Sequence, residues 1–262
     1  MKDRKIDFFF ERQFCYLNIN NVSFQKPRLL SEFRSNEPYL NMTFTVVSCA
    51  PKVYEIDNFL SEAEVDHIMN IARKIDMKPS STGQGENTGS EKKTKTRTSY
   101  NTWVGRETDQ IIDSIYRRSA DLLRIDEALM RHRSDFEHPD YGSKKTIAEQ
   151  LQLVHYNVGQ EYTAHHDFGY AAAGDKIQGA RFATLLFYLN EPPKGGETEF
   201  PRWYNGETSA GLTAKPKKGK AVLFYSQLPD GNMDDLSHHA AKPVEEGEKF
   251  LINLWVRDPS FE

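Results

Sequence analysis

The chain has 262 residues, 38% hydrophobic and 27% charged, with 34 basic against 38 acidic side chains and a net charge of −4. That is the composition of a folded globular protein, and its mild acidity argues against a dedicated nucleic-acid binder, which is basic overall. No stretch reaches the ~18 consecutive apolar residues of a membrane span, so none is expected.

Residues 1–45 mix charges, aromatics and asparagines without a period and read as an extension, either a tail or an edge strand. Phe8-Phe9-Phe10 is closed at once by Glu11 and Arg12, too short for the apolar core of a signal peptide. The only two cysteines, Cys15 and Cys49, form neither a disulfide framework nor a metal-ligand spacing, and the sequence leaves open whether they pair. Asn21-Val22-Ser23 and Asn41-Met42-Thr43 have the form of N-glycosylation sequons, which count only on a secretory route.

One domain is expected over 46–262, with helical support over 58–130 and a strand-rich core over 149–258. Ser61-Glu62-Ala63-Glu64 is a capping box, in which the Ser hydroxyl accepts from the third helical amide and Glu64 reaches back. Val65, Ile68, Met69, Ala72 and Ile75 follow at helical spacing and predict a helix over 62–75. The Gly-, Ser- and Thr-rich segment after Pro79 predicts a loop over 80–96, either a plain linker or a lid. Two basic stretches, Lys92 to Arg97 and Lys215 to Lys220, read as solvated loops. A strand over 98–104, an amphipathic helix from Asp109 through Leu123 and a short helix over 126–130 complete the first half.

From about residue 149 the pattern changes to short apolar or alternating runs at 151–156, 162–167, 182–189, 197–200, 220–225, 239–244 and 250–256. Turn residues such as Asn157-Val158-Gly159 and Pro229-Asp230-Gly231 punctuate them. Helices followed by many short strands predict an α+β chain whose catalytic half is a sandwich or jelly roll (a double-stranded β-helix) with flanking N-terminal helices.

His165-His166-Asp167 lies in the second of these strands. Side chains alternate along a strand, so His165 and Asp167 share a face and His166 points away. A second imidazole would complete a two-His, one-carboxylate set, which occupies one face of an iron(II) ion and leaves the other open. His238 and His239 both follow, with opposite parity, and periodicity does not choose between them. Lys249 begins the last apolar strand, 249–256; it is either a solvated strand end or an inward ammonium facing a dicarboxylate, a role that requires a bound anion because burying the charge without a partner is costly.

Further runs lie in register with these: Arg181-Phe182-Ala183-Thr184-Leu185-Leu186-Phe187-Tyr188-Leu189-Asn190, Gly195-Gly196-Glu197-Thr198-Glu199-Phe200-Pro201, and His239-Ala240-Ala241-Lys242-Pro243-Val244 leading to Lys249. Together with Tyr162-Thr163-Ala164-His165-His166-Asp167, Val53 to Ser61 and Arg97-Thr98-Ser99, they resemble the catalytic domain of prolyl 4-hydroxylases over about residues 50 to 258. The resemblance implies an iron(II)- and 2-oxoglutarate-dependent dioxygenase that hydroxylates prolyl residues of peptides or proteins at the 4-position, consuming O2 and releasing succinate and CO2, with L-ascorbate keeping the iron reduced. It selects His239, beside His165 and Asp167, as metal ligand. It assigns Lys249, Tyr156 and Thr184 to the far carboxylate of 2-oxoglutarate and puts Trp255 close to the site. The 80–96 loop becomes a candidate lid over a proline-containing peptide bound as an extended polyproline-type strand. Members work in the endoplasmic reticulum, which is the expectation here if an upstream signal or anchor is missing, with the cytoplasm otherwise. The alternatives are an oxygenase of the same fold acting on a lysyl residue, a free amino acid or a small molecule, a non-enzymatic metal-binding jelly roll, and a zinc hydrolase, since the same ligands suit zinc.

Overall fold

The computed structural model describes residues 21–27, 39–81, 96–137, 144–169, 179–204 and 211–258. Most of the expected lid, residues 82–95, and most of the 1–45 extension lie outside the described residues, as does Cys15. The strands are β1 (Asn21–Pro27), β2 (Tyr39–Cys49), β3 (Lys52–Asp57), β4 (Lys78–Pro79), β5 (Tyr100–Val104), β6 (Leu151–Tyr156), β7 (Tyr162–His165) and β8 (Arg181–Tyr188). They continue with β9 (Lys194–Gly195), β10 (Thr198–Phe200), β11 (Leu212–Ala214), β12 (Ala221–Tyr225), β13 (His239–Ala241), β14 (Val244–Glu246) and β15 (Lys249–Arg257). The two α-helices are α1 (Glu62–Lys74) and α2 (Gln110–Leu123). Among the described residues no helix is long and apolar enough to cross a membrane.

A nine-stranded sheet runs β1-β2-β3-β12-β8-β15-β6-β5-β4 and faces a four-stranded sheet, β11-β10-β13-β7. The pairings are antiparallel and the sheets do not close, giving the expected jelly-roll core with helices outside. The strand-rich half does not stand alone, because β1 to β3 extend its large sheet at one edge and β5 and β4 at the other. The expected boundary at 45/46 therefore falls inside β2. Covering both edges of the catalytic strands removes unpaired backbone that would otherwise invite association.

Strands β8 and β15 are covered on both faces. Leu185, Phe187, Ile252 and Leu254 pack toward the helices, with Val65, Ile68, Ile112 and Ile115. Leu186, Tyr188 and Leu251 pack the other way, against Phe200 and Ala214 of the small sheet. The 239–244 strand is split, because Pro243 has no amide to donate and breaks the ladder between β13 and β14. Gly195 sits opposite this break with φ +79°, and a Cβ there would lie 2.4 Å from the Pro243 carbonyl oxygen.

The helices dock through a buried ion pair, beside a contact of 2.7 Å between His67 of α1 and Asp109 at the N-cap of α2. Ser61 caps α1 as expected, its hydroxyl accepting from the Glu64 amide at 3.2 Å while the Ser61 amide donates to Glu64 Oε2 at 2.8 Å. Glu64 is also fully buried and grips Arg118 of α2 through two bonds of 2.6 and 3.0 Å. Arg118 in turn donates to the Phe59 carbonyl at 2.6 Å. In the basic stretch at 215–220, Lys217 pairs with Asp57 and Lys218 with Asp66 on the surface, while Lys220 is buried and pairs with Glu55.

Removing one member of a buried pair strands the other charge. Arg118→Met should cost about 3–5 kcal/mol, against about 1 kcal/mol for the cap variant Ser61→Ala. Urea unfolding of both measures the difference; equal losses would mean that the pair does not join the helices.

Candidate metal centre and cosubstrate pocket

The two histidines are cross-strand partners, His165 on β7 against His239 on β13, with ring centroids 4.4 Å apart. Each ring is oriented from behind. His165 Nδ1 donates to the Thr163 carbonyl and His239 Nδ1 to the Ser237 carbonyl, both at 2.9 Å. These bonds fix the tautomer that leaves each Nε2 lone pair facing inward, as metal-ligating imidazoles require. Tyr162 stacks on the His165 ring at 3.6 Å, and Phe224 lies 4.5 Å from the His239 ring.

Asp167 meets both imidazoles, Oδ1 lying 3.4 Å from His165 Nε2 and Oδ2 lying 3.5 Å from His239 Nε2. Strand β7 ends at His165, so alternation along one strand is not what aims this carboxylate. Two donors from the large sheet aim it instead. Thr184 Oγ1 and Trp255 Nε1 each donate to Oδ2 at 2.9 Å, and these two residues are themselves register partners on β8 and β15. In this structure the Thr184 hydroxyl donates to Asp167, a partner other than the 2-oxoglutarate carboxylate expected from the resemblance.

Among the described residues, His165, Asp167 and His239 form the only cluster of three or more such side chains that could hold a metal ion, their ligand atoms all within 4.8 Å. Two donors at right angles, each ~2.1 Å from one ion, stand about 3 Å apart, close to the two distances to Asp167. Burial pushes the Asp167 carboxyl up, but His239, His165 and Arg181 outweigh it and hold the group well below the usual carboxylate range. Burial pushes His239 down to about 4, with Asp167 working the other way, so its imidazole is neutral near pH 7. An ionised carboxylate between imidazoles with free lone pairs is the donor set that suits iron(II).

His238 lies outside this set. Its ring is 4.7 Å from that of His166, which points away from the cluster and reaches the Asp235 carbonyl at 3.2 Å. The resemblance-based choice of His239 over His238 is therefore the arrangement the fold presents.

Farther along the same face is Lys249, fully buried, with no hydrogen-bond partner for Nζ among the described residues. It is not a solvated strand end. Its neighbours are the rings of Tyr156, 5.2 Å away and opposite it in register, and Tyr188, 5.6 Å away. Burial pushes the ammonium down to about 7, with Glu197 working the other way. Gly196, at φ +76°, leaves room for the lysine stem, since a Cβ there would lie 3.2 Å from Lys249 Cδ. An orphaned cation beyond a two-His, one-carboxylate cluster is the feature a bound dicarboxylate would complete.

The sequence reading missed four contributors. Tyr188 follows Thr184 by four positions on one strand face, a parity signal that was available. Arg97, read as part of a solvated basic stretch, is buried over the Tyr162 ring at 4.6 Å and donates to Gln152 at 3.0 Å. Arg181 stacks 3.8 Å from the Trp255 ring and is held by Glu149 through bonds of 2.8 and 2.9 Å. Trp103 is 46% exposed and lies 6.0 Å from the Trp255 ring, giving the neighbourhood of the cluster an aromatic surface.

Because Thr184 and Trp255 act on Asp167, Thr184→Val and Trp255→Phe should each weaken metal binding by about 10–100-fold and leave the dependence on the dicarboxylate little changed. Anaerobic metal titration checks this, and an unaltered metal affinity in both variants would refute the assignment of these donors.

Residues 151–257 match the family model described as the 2OG-Fe(II) oxygenase superfamily. Probable prolyl 4-hydroxylase 3 of Arabidopsis thaliana is 34% identical over 223 residues, covering 80% of this chain and 71% of that protein. Prolyl 4-hydroxylase 5 of the same plant is 32% identical over 229 residues, covering 83% and 72%. Among solved structures, the 2OG complex of the viral collagen prolyl hydroxylase from Paramecium Bursaria Chlorella virus-1 matches with a TM-score of 0.56 at 28% identity, covering 78% of this chain and 95% of that one. A His-Asp-His cluster on a jelly roll, with relatives matched over most of their length, establishes that the chain belongs to the prolyl 4-hydroxylase family, a group of iron(II)- and 2-oxoglutarate-dependent dioxygenases.

Proposed function

We propose that the protein hydroxylates prolyl residues of a peptide or protein at the 4-position, with His165, Asp167 and His239 as iron ligands. The observation that carries the dioxygenase reading is the buried, unpartnered Lys249 on the same face as the ligand cluster. A zinc hydrolase or a metal-storage module has no use for such a cation. The prolyl assignment is supported by the names of the relatives, two of them 34% and 32% identical.

When bound, iron(II) with O2 and 2-oxoglutarate supplies the oxidising power for an unactivated C–H bond and leaves succinate and CO2. The chain's own groups supply position. Lys249 and the Tyr156 hydroxyl take the far carboxylate of 2-oxoglutarate, so the keto-acid end is directed toward the metal ligands. Tyr188 donates or accepts at Thr198 Oγ1, 2.7 Å away, and closes the small-sheet side of the pocket. Asp167 stays ionised because His239, His165 and Arg181 outweigh its burial, and His239 stays neutral near pH 7, so no proton competes for its ligand lone pair. Trp103, exposed beside the buried Trp255, offers an aromatic surface of the kind on which polyproline-type segments dock.

Proton linkage follows from Lys249. Its folded value is about 7 and its ordinary value 10.5, so between those pH values the unfolded chain holds a proton that the ligand-free folded protein lacks. Stability of the ligand-free protein should therefore rise with pH across that window, through this group. A bound dicarboxylate keeps the ammonium charged. Binding 2-oxoglutarate above pH 7 should take up a proton, with affinity falling up to about tenfold per pH unit. Calorimetry in buffers of different ionisation heat reads this directly; Lys249→Met should bind weakly and without uptake, and wild-type binding without uptake would contradict the role.

The activity is tested by succinate release with a panel of peptides and mass spectrometry of the products. Proline-containing peptides should stimulate release and gain one oxygen on proline; His239→Ala should be inactive and His238→Ala should keep most turnover. Equal stimulation by peptides lacking proline would move the assignment to a non-prolyl substrate.

A further inference from the structure

Two features play no part in the active site: a cysteine in a disulfide and an exposed sequon asparagine. We propose that Asn41 carries an N-linked glycan; the oxidising, secretory setting this needs is the one the family resemblance leads to expect, and the Cys49 disulfide fits it.

Cys49 is disulfide-bonded, and no free cysteine occurs among the described residues. Forming a disulfide removes two protons and two electrons from two thiols and passes them to a disulfide-class oxidant. Such bonds persist in oxidising compartments and are rare where thiols are kept reduced. The disulfide thus fits the secretory setting on which the meaning of a sequon depends.

Asn41-Met42-Thr43 lies near the start of β2, eight residues before Cys49 in the sequence. Met42 is buried in the core between the large sheet and the helices, so alternation turns Asn41 and Thr43 to the other face. Asn41 is exposed there, and its carboxamide makes no hydrogen bond among the described residues. Its backbone is held instead, with the Asn41 carbonyl accepting from Asn58 Nδ2 at 3.0 Å.

The position is also compatible with activity. Strand β2 is three places from β8, so Asn41 stands at least ~14 Å to the side of Thr184. Register places it toward the Phe187 end of β8, away from the Thr184–Trp255 pair. A glycan there projects from the face of β2, one strand in from the β1 edge, and to the side of the metal cluster.

In the modification, the Asn41 Nδ2 forms a bond to the anomeric carbon of a lipid-diphosphate-linked oligosaccharide. The bond from that carbon to the phosphate oxygen breaks, the lipid diphosphate leaves, and Nδ2 gives up one proton. No redox change occurs.

The test uses the full chain isolated from its source cells, alkylated without reduction, digested, and deglycosylated by a peptide amidase in heavy-oxygen water. The Asn41 peptide should appear only after the amidase, as aspartate carrying heavy oxygen, and Cys49 should be found in a disulfide-linked peptide. Asn41→Gln should abolish the gel-mobility shift seen on deglycosylation and leave succinate release unchanged. An abundant unmodified Asn41 peptide before the amidase, or Cys49 alkylated without reduction, would each overturn the proposal. Both readouts are independent of hydroxylase activity, so failure here is distinct from failure of the catalytic reading.

Discussion

A single carboxylate joins the two halves of the site. Asp167 lies just past the end of a small-sheet strand, faces two imidazoles anchored on that sheet, and takes both its donors from the large sheet. Hydrogen bonds to a charged acceptor contribute about 1.5–3 kcal/mol each, so Thr184 and Trp255 together offset a substantial part of the cost of burying the charge. Displacing either sheet would part the carboxylate from its donors or from the imidazoles. The ligand geometry is thus a property of sheet packing more than of the loop that carries Asp167.

The same packing explains the pocket. Strands buried on both faces are expected to be apolar throughout, and β8 and β15 nearly are. Polar groups on their inner face include Thr184, the Tyr188 hydroxyl, Lys249, Asn253 and the indole N–H of Trp255. Four of these are satisfied within the protein. Lys249 is not, and its depressed proton affinity is the electrostatic signature of a cation waiting for a counter-charge. A pocket that favours a neutral lysine when empty and a charged one when filled selects for an anionic cosubstrate over a neutral one of the same shape.

Much of this was legible in the residues, for local reasons. The Ser61 capping box, the helix that follows it and the apolar strands of the second half depend on near neighbours, and they lie where spacing puts them. The inward Lys249 was legible as a conditional, since burying a charge without a partner is costly and the role calls for a bound anion. Long-range pairing hid the rest. Thr184 was expected at the cosubstrate and its hydroxyl meets Asp167, a contact that depends on the 184–255 register, which no local pattern encodes. Glu64 was read as a cap and turned out also to hold Arg118, 54 positions away. Periodicity left His238 and His239 equivalent, and the family resemblance together with pairing across β7 and β13 separates them. Strand β2 was missed because the segment before residue 46 lacks a clean alternation that would mark it.

The account as a whole rests on one iron(II) bound by His165, Asp167 and His239 with 2-oxoglutarate beside it. Anaerobic titration of the metal-free protein with iron(II) in the presence of 2-oxoglutarate, followed by visible absorption, tests this most directly. The account predicts a charge-transfer colour that saturates at one iron and one 2-oxoglutarate per chain and is absent in Asp167→Ala. Iron uptake with no such colour, or colour that survives in Asp167→Ala, would contradict it.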